Sequence, residues 1–145
     1  MKLGFIGTGN ITVAVVNGIC RSKISFNKIF ISPRNKVKSK KLKKIFKKVY
    51  IAKNNQEIVD KCNWIFLAVT PKVGEKILPK LKYRANQKII SFISTINLNQ
   101  LKIIIKKKAK IIRAIPLPPI SLGKGPVPIC PPDKQIKNFF NKIGT

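Results

Sequence analysis

The chain has 145 residues, enough for one domain with a hydrophobic core and too few for two domains of ordinary size. Its 31 lysines and arginines face only 4 acidic residues, so the formal net charge is +27. Such a charge raises nucleic acid as a candidate partner, because clustered cations neutralise phosphates. Lys, Ile and Asn supply 64 of the residues and share A/T-rich codons, however, so a genome-wide composition bias also explains the excess. Because the lysines are spread out and lack interleaved aromatic residues, nucleic acid is the weaker alternative.

The three cysteines and the absence of histidine limit the metal sites that the chain can form. Cys20, Cys62 and Cys130 lie far apart, and without histidine the usual zinc sets cannot form, so no metal site is predicted. An odd number of cysteines and no secretory leader favour a reducing compartment, where Cys20 and Cys62 would be small core residues. No apolar run approaches the roughly 20 residues of a membrane span. We therefore expect a soluble, cytoplasmic protein.

A glycine turn follows the first predicted strand. Residues 2–6 predict this strand, and residues 11–20 are apolar enough for a buried helix. Between them, Gly7 permits a tight turn and Gly9 lets the backbone approach a pyrophosphate at the positive end of the helix. The third small position of this dinucleotide fingerprint is Thr12, which predicts a helix slightly farther from the sheet. The alternative is that the glycines form only a tight turn.

The same alternation of strand and helix continues along the chain. Further strands are predicted over residues 28–32, 49–52, 64–69, 88–93 and 110–115. The lysine-rich helix after the second strand has a predicted apolar face of Leu42, Ile45, Phe46 and Val49. Strands and helices at this spacing predict an α/β fold of the Rossmann type, a doubly wound and mostly parallel sheet with helices on both faces.

Side chains at the predicted helix starts support this alternation. Two pairs have the spacing of a capping box, namely Asn54 with Glu57 and Asn97 with Gln100. The second of these helices is predicted to run from Leu98 to Lys107. Thr70 offers a capping hydroxyl in front of Pro71, which suits the first position of a helix.

The last 30 residues differ in character. Seven prolines between positions 116 and 132 predict an ordered loop or an edge hairpin, because proline interrupts helices and most ladder hydrogen bonds. Asp133 then caps an amphipathic helix, whose apolar residues are Ile136, Phe139, Phe140 and Ile143. We therefore assign residues 1–132 to a nucleotide-binding domain and residues 133–145 to a terminal helix.

The residues after the second strand predict the cofactor. In this fold a carboxylate about 20 residues beyond the glycines holds the ribose of NAD, yet no Asp or Glu occurs in the first 56 residues. Ser32 and Arg34 instead offer a hydroxyl and a guanidinium, which suit the 2′-phosphate of NADP. The pattern predicts NADP, with NADPH preferred over NADH. The alternative is that Arg34 is one more exposed cation in a basic protein.

The chain resembles the pyrroline-5-carboxylate reductase family in several segments, in the family's own order. Residues 2–10, KLGFIGTGN, resemble its opening K-I-G-F-I-G-A-G-N, and residues 66–72, FLAVTPK, resemble its L-A-V-K-P-Q segment. Residues 113–116, RAIP, resemble the start of its R-V-M-P-N-T-P. Asn55 with Glu57 resembles its N-x-E, and residues 89–91 resemble the strand before its A-A-G turn. The resemblance covers essentially the whole chain.

This resemblance implies an oxidoreductase that transfers a hydride from NADPH to 1-pyrroline-5-carboxylate, a small imine, giving proline. It identifies no catalytic residue, and an iminium substrate needs little acid help. It implies a pyrophosphate site at the first glycines, an adenosine site after the second strand and a nicotinamide wall after the fourth and fifth strands. The implied cofactor contacts are Ile6, Gly7, Thr8, Gly9, Asn10, Ile11, Ser32, Arg34, Asn55, Ala68, Val69, Thr70, Pro71, Phe92, Ile93 and Ser94.

Three departures from the family pattern leave a second function open. Leu117 and Pro118 replace the Asn-Thr of the family, and Thr95 replaces the glycine of its A-A-G turn. The family also continues into a helical dimerisation domain. Residues 133–145 would lead toward that domain, and the given sequence does not include it. The alternative is a truncated remnant or a module that binds NADP without turnover. The expected partners are a second copy of the chain, giving a homo-oligomer, or a complementary chain that supplies the helical domain.

Overall fold

The computed structural model describes residues 1–106 and 109–144. In these residues the strands are β1 (Lys2–Ile6), β2 (Lys28–Ile31), β3 (Val49–Ile51), β4 (Trp64–Leu67), β5 (Lys88–Ser91), β6 (Lys110–Ala114) and β7 (Ile129–Cys130). The helices are α1 (Asn10–Cys20), α2 (Lys36–Ile45), α3 (Asn55–Lys61), α4 (Pro71–Ile77), α5 (Leu98–Ile105) and α6 (Lys134–Asn141). Short 3₁₀ turns cover Leu78–Lys80 and Pro118–Leu122.

All seven strands join one sheet in the order β3-β2-β1-β4-β5-β6-β7. The first six strands pair in parallel, and β7 pairs antiparallel with β6. β1 and β4 are neighbours, although two strands separate them along the chain, so the strand order reverses between them. In doubly wound sheets, ligands bind beside the carboxyl ends of the strands at this reversal. The predicted Rossmann-type α/β fold is confirmed.

Helices bury both faces of the sheet, which explains why the central strands are apolar on both sides. On one face, Leu3 and Phe5 of β1 join a core that includes residues of α1, α2 and α6. On the other, Ile6 joins a core with residues of α3 and α5. Phe5 and its register partner Phe66 stack with ring centroids 4.5 Å apart. This pair joins β1 to β4 just below their carboxyl ends.

The terminal helix α6 is part of the core on the α1 face. Ile136 is fully buried, the Phe139 ring lies 5.1 Å from the Trp64 ring, and Phe140 packs on Phe66 at 6.5 Å. The predicted cap is confirmed, because the Asp133 carboxylate accepts a hydrogen bond of 2.9 Å from the amide of Ile136. The domain boundary at residue 132 stays a prediction, and the helix that follows it packs on the same sheet.

The predicted apolar face of the lysine-rich helix is wrong in part. Leu42 is buried, but α2 ends at Ile45, whose side chain is 51% exposed. Phe46 takes an extended conformation and Val49 belongs to β3. Because the chain must leave the helix at Phe46 to reach the sheet edge, the helical spacing does not extend to Val49.

The other local predictions have mixed outcomes. Asn97 and Gln100 form the predicted capping box, whereas the Glu57 carboxylate accepts from the amide of Lys53 and so forms only half of one with Asn54. The predicted helix end at Lys107 lies outside the described residues. Of the two forms predicted for the proline-rich segment, the structure shows the edge hairpin, because β7 pairs antiparallel with β6 after a 3₁₀ turn that packs on α1. In the described part of the chain, the helices are too short or too polar to cross a membrane.

Candidate functional site

A cleft of about 610 Å³ lies beside the carboxyl ends of β1 and β4, where the strand order reverses. Three segments form its walls: the loop between β1 and α1, the start of α2, and the loop between β4 and α4. The lining residues are Gly7, Thr8, Gly9, Arg34, Asn35, Lys36, Val37, Ala68, Val69, Thr70 and Val73. The fold thus brings segments that are far apart in sequence to one concave site.

Gly7 is required by the close approach of two loops. Its φ is +102°, a conformation that side-chain-bearing residues rarely adopt. A Cβ at this position would lie 2.4 Å from the carbonyl oxygen of Ala68, closer than any tolerated contact. The amide of Ala68 in turn donates a 2.8 Å hydrogen bond to the carbonyl of Ile6. The first glycine therefore serves the junction between the two strands.

Gly9 has a different environment, because a Cβ built on it would meet no atom within 4 Å. It is the N-cap of α1, no side chain caps this helix end, and the first turn carries no acidic residue. The aligned peptide dipoles make the start of an 11-residue helix partially positive. The space beside Gly9 therefore suits an anion held by main-chain amides.

Hydroxyl groups hold the loop between these glycines. Thr8 donates a 2.8 Å hydrogen bond to the carbonyl of Ser32, and the Gly7 amide donates one of 2.9 Å to the Ser32 hydroxyl. Thr12, buried in α1, donates 2.7 Å to the carbonyl of Gly7. The predicted wider spacing between helix and sheet stays a prediction. The sequence did not indicate that the Thr12 hydroxyl bonds the helix to the glycine loop.

The wall formed by the start of α2 is cationic. Arg34 and Lys36 are exposed and line the cleft, and no carboxylate appears among its described lining residues. Asn35 between them caps α2 by accepting a 3.2 Å hydrogen bond from the amide of Lys38. The sequence prediction included Arg34 and missed Asn35 and Lys36. Their signal was the stretch from Ser32 to Lys36, in which polar and basic residues follow a strand.

The third wall combines apolar and polar groups. Val69 and Val73 contribute hydrocarbon, and Ala68 and Thr70 complete the loop after β4. As predicted, Thr70 is the N-cap residue of α4 and Pro71 begins the helix. The predicted hydroxyl cap is wrong, since the Thr70 hydroxyl makes no hydrogen bond to α4 and the residue lines the cleft instead. The wall can shield an apolar ring from water on one side.

Some predicted contact residues lie outside the lining of the cleft: Ile6, Asn10, Ile11, Ser32, Asn55, Pro71, Phe92, Ile93 and Ser94. Ile6 and Ile93 are buried in the core of the α3 and α5 face. Phe92 packs on Phe66 and Phe140 at 5.6 and 6.3 Å, and the Ser94 carbonyl accepts a 2.5 Å hydrogen bond from Arg113. Contact of these residues with a cofactor stays a prediction.

The described lining of the cleft contains no cysteine. Burial raises the pKa of the Cys62 thiol to about 12 and that of Cys20 to about 11, so both stay protonated at neutral pH. Cys62 is fully buried, as predicted for a core residue. In the residues that the structure describes, His, Cys, Asp and Glu form no group of three that could hold a metal ion.

Comparison with known families places the cleft in context. Residues 2–97 match the family described as NADP oxidoreductase, coenzyme F420-dependent. The chain is 30% identical over 128 residues to pyrroline-5-carboxylate reductase 3 of Danio rerio, a match that covers 86% of this chain and 44% of the relative. It is 29% identical over 133 residues to pyrroline-5-carboxylate reductase of Escherichia coli, covering 90% and 49%. The chain therefore spans about half the length of these curated relatives.

Solved structures share the fold. Plasmodium falciparum pyrroline carboxylate reductase with NADP bound has a TM-score of 0.83 and 25% identity, covering 99% of this chain and 55% of that one. Prephenate dehydrogenase of A. aeolicus, in complex with NAD⁺, has a TM-score of 0.77 and 16% identity, covering 99% and 57%. At 16% identity the likeness shows the fold alone. Since this fold serves both cofactors, the choice between them depends on the side chains of the cleft.

Proposed function

We infer, since this chain belongs to the family of coenzyme F420-dependent NADP oxidoreductases, that it binds NADP(H) in the cleft and forms the cofactor-binding half of an imine reductase. The proposal rests on the start of α1 and the cationic wall beside it. The uncapped start of α1 opens beside Gly9 at the reversal of strand order, with Arg34 and Lys36 on the adjoining wall. The similarity to pyrroline-5-carboxylate reductases over most of the chain supports it.

The residues of the cleft fit the charged groups of NADP. Gly9 and the first amides of α1 would hold the pyrophosphate, since space is open there and the helix end is partially positive. Arg34 and Lys36 would hold the 2′-phosphate through charge-assisted hydrogen bonds. No carboxylate in the described lining repels that phosphate or favours the bare ribose of NAD.

The proposed reaction is the reduction of a small cyclic imine of the pyrroline-5-carboxylate type. The reduced nicotinamide supplies the hydride, which adds to the carbon of the C=N bond. Val69 and Val73 would shield one side of the nicotinamide from water, and the loop from Ala68 to Thr70 would fix its orientation. With a protonated imine as substrate the nitrogen already carries its proton, so the described cleft residues need supply no acid.

A second candidate function is an NADP-binding module without turnover. The lining of the cleft favours it, because the described lining residues are assigned above to the cofactor and none to a substrate. Hydride transfer needs donor and acceptor held in a fixed geometry, worth up to roughly 7–11 kcal/mol of the barrier. The cleft is open to solvent, and its described residues would hold the hydride donor without fixing an acceptor.

Loss of NADPH absorbance in the presence of pyrroline-5-carboxylate separates the two candidates. The assay uses the 145-residue chain alone and then with the helical domain of a related reductase. We expect a rate hardly above background for the chain alone and turnover after the addition. Absence of turnover in both, with NADPH bound, would favour the module. Robust turnover by the chain alone would exclude the module and show a complete substrate site in these residues.

A further inference from the structure

We propose that Ser32 and Asn55 are positioning residues that hold the glycine loop, residues 7–9, in its phosphate-binding shape. Arg34 and Lys36 would then make the choice between NADPH and NADH. The proposal rests on the proposed function, since it concerns the same cleft. It departs from the sequence-based expectation, in which Ser32 contacts the 2′-phosphate and Asn55 lies beside the adenine.

The hydroxyl of Ser32 is already committed within the protein. It accepts a 2.9 Å hydrogen bond from the Gly7 amide, and its oxygen lies 2.6 Å from Asn55 Oδ1 and 3.2 Å from the carbonyl oxygen of Phe5. A hydroxyl has one proton to donate, and both of these neighbours are acceptors. A phosphate oxygen is also an acceptor, so it would have to compete with Asn55 for the same proton. Ser32 is moreover only 4% exposed.

These bonds connect three separate elements. Ser32 follows β2, Gly7 follows β1, and Asn55 is the first residue of α3. The Ser32 carbonyl also accepts the hydroxyl of Thr8, so Ser32 contacts the loop through both its side chain and its main chain. Asn55 orients the Ser32 hydroxyl so that its lone pair faces the Gly7 amide. The loop therefore has its shape before a ligand arrives, which lowers the ordering cost of binding.

Arg34 and Lys36 are placed to recognise the phosphate instead. Both are exposed, both line the cleft, and neither forms an ion pair with a carboxylate in the described part of the chain. The 2′-phosphate is the one group that distinguishes NADP from NAD, and it carries the charge that these cations would bind.

Two groups of variants of the full chain test the assignment by titration with NADPH and with NADH. We expect Ser32→Ala to weaken the binding of both cofactors by the same factor, about five- to tenfold for one lost buried hydrogen bond. Asn55→Ala should weaken binding by a similar factor. The double variant should bind both cofactors no more weakly than Ser32→Ala does, because the two residues act through one hydrogen bond. Arg34→Gln and Lys36→Gln should weaken NADPH and leave NADH unchanged.

A loss confined to NADPH in Ser32→Ala would overturn the proposal, because it would make Ser32 a phosphate ligand. Additive losses in the double variant would also contradict it. Amide hydrogen exchange of Gly7 in the ligand-free protein is a second test that needs no cofactor. Faster exchange in both Ser32→Ala and Asn55→Ala is expected. Unchanged exchange in both variants would overturn the proposal that Ser32 and Asn55 hold the glycine loop. Failure of the wild-type chain to bind NADPH would instead refute the proposed function.

Discussion

The main chain of Gly7 approaches the Ala68 carbonyl oxygen so closely that a Cβ on Gly7 would lie 2.4 Å from that atom. The contact joins the loop after β1 to the loop after β4 at the edge where the cleft opens. Gly9, two residues later, faces open space. The two glycines of one motif therefore differ in purpose, because the first is needed by the fold and the second leaves room for a ligand.

This difference predicts opposite effects on stability. Gly7→Ala should lower the free energy of unfolding by about 2–4 kcal/mol, because it combines a positive φ with a clash against backbone. Gly9→Ala is the matched control and should change stability by less than about 1 kcal/mol. Urea denaturation measures both. Equal losses for the two variants would show that the close approach at Gly7 is relieved at little cost.

Gly9→Val should abolish NADPH binding and leave the fold intact. The valine side chain would occupy the open space beside the start of α1, where the pyrophosphate is proposed to lie. Circular dichroism establishes folding, and calorimetric titration measures affinity. Unchanged affinity for NADPH in the folded variant would mean that the glycine loop is only a turn.

Arg34→Glu should weaken the binding of NADPH by about 1.5–3 kcal/mol, the scale of a hydrogen bond to a charged group, and should change the binding of NADH little. Lys40→Glu makes the same charge change on an exposed residue of α2 that does not line the cleft. It therefore controls for long-range electrostatics in a chain of net charge +27. If the two variants weakened NADPH equally, Arg34 would contribute only general charge.

Asp133 should make stability depend on pH under acid conditions. Burial raises the pKa of its carboxyl, but hydrogen bonds from Lys110, the Ile136 amide and Lys88 outweigh burial and lower the pKa from 3.8 to about 2. A lowered pKa in the folded state means stability that is present above pH 4 and lost as the pH falls toward 2. The contribution is about 2 kcal/mol, because one pKa unit corresponds to about 1.4 kcal/mol.

The test is urea denaturation of the wild type and Asp133→Asn between pH 7 and pH 2. At pH 7 the variant should be less stable, since it leaves Lys88 half-buried without its carboxylate. Its stability should fall less than that of the wild type between pH 4 and pH 2. Parallel pH profiles would show that the ion pairs of Asp133 with Lys88 and Lys110 add nothing to folding.

The order of strands and helices follows from local sequence, because alternating apolar runs and caps are properties of neighbouring residues. The glycine turn could be placed for the same reason. Ser32 could not be interpreted in this way, since its bonds to Gly7 and Asn55 link residues 25 and 23 positions apart. The prediction for Phe46 and Val49 was wrong because the helical spacing of apolar residues continues past the point where the chain leaves α2 for the sheet.

Calorimetric titration of the wild-type chain with NADPH and with NADH measures most directly whether the cleft between β1, β4 and the start of α2 binds NADP(H). NADPH should bind more tightly than NADH, because Arg34 and Lys36 would contact a phosphate that NADH lacks. Equal affinities, a preference for NADH, or no binding of either cofactor would contradict it.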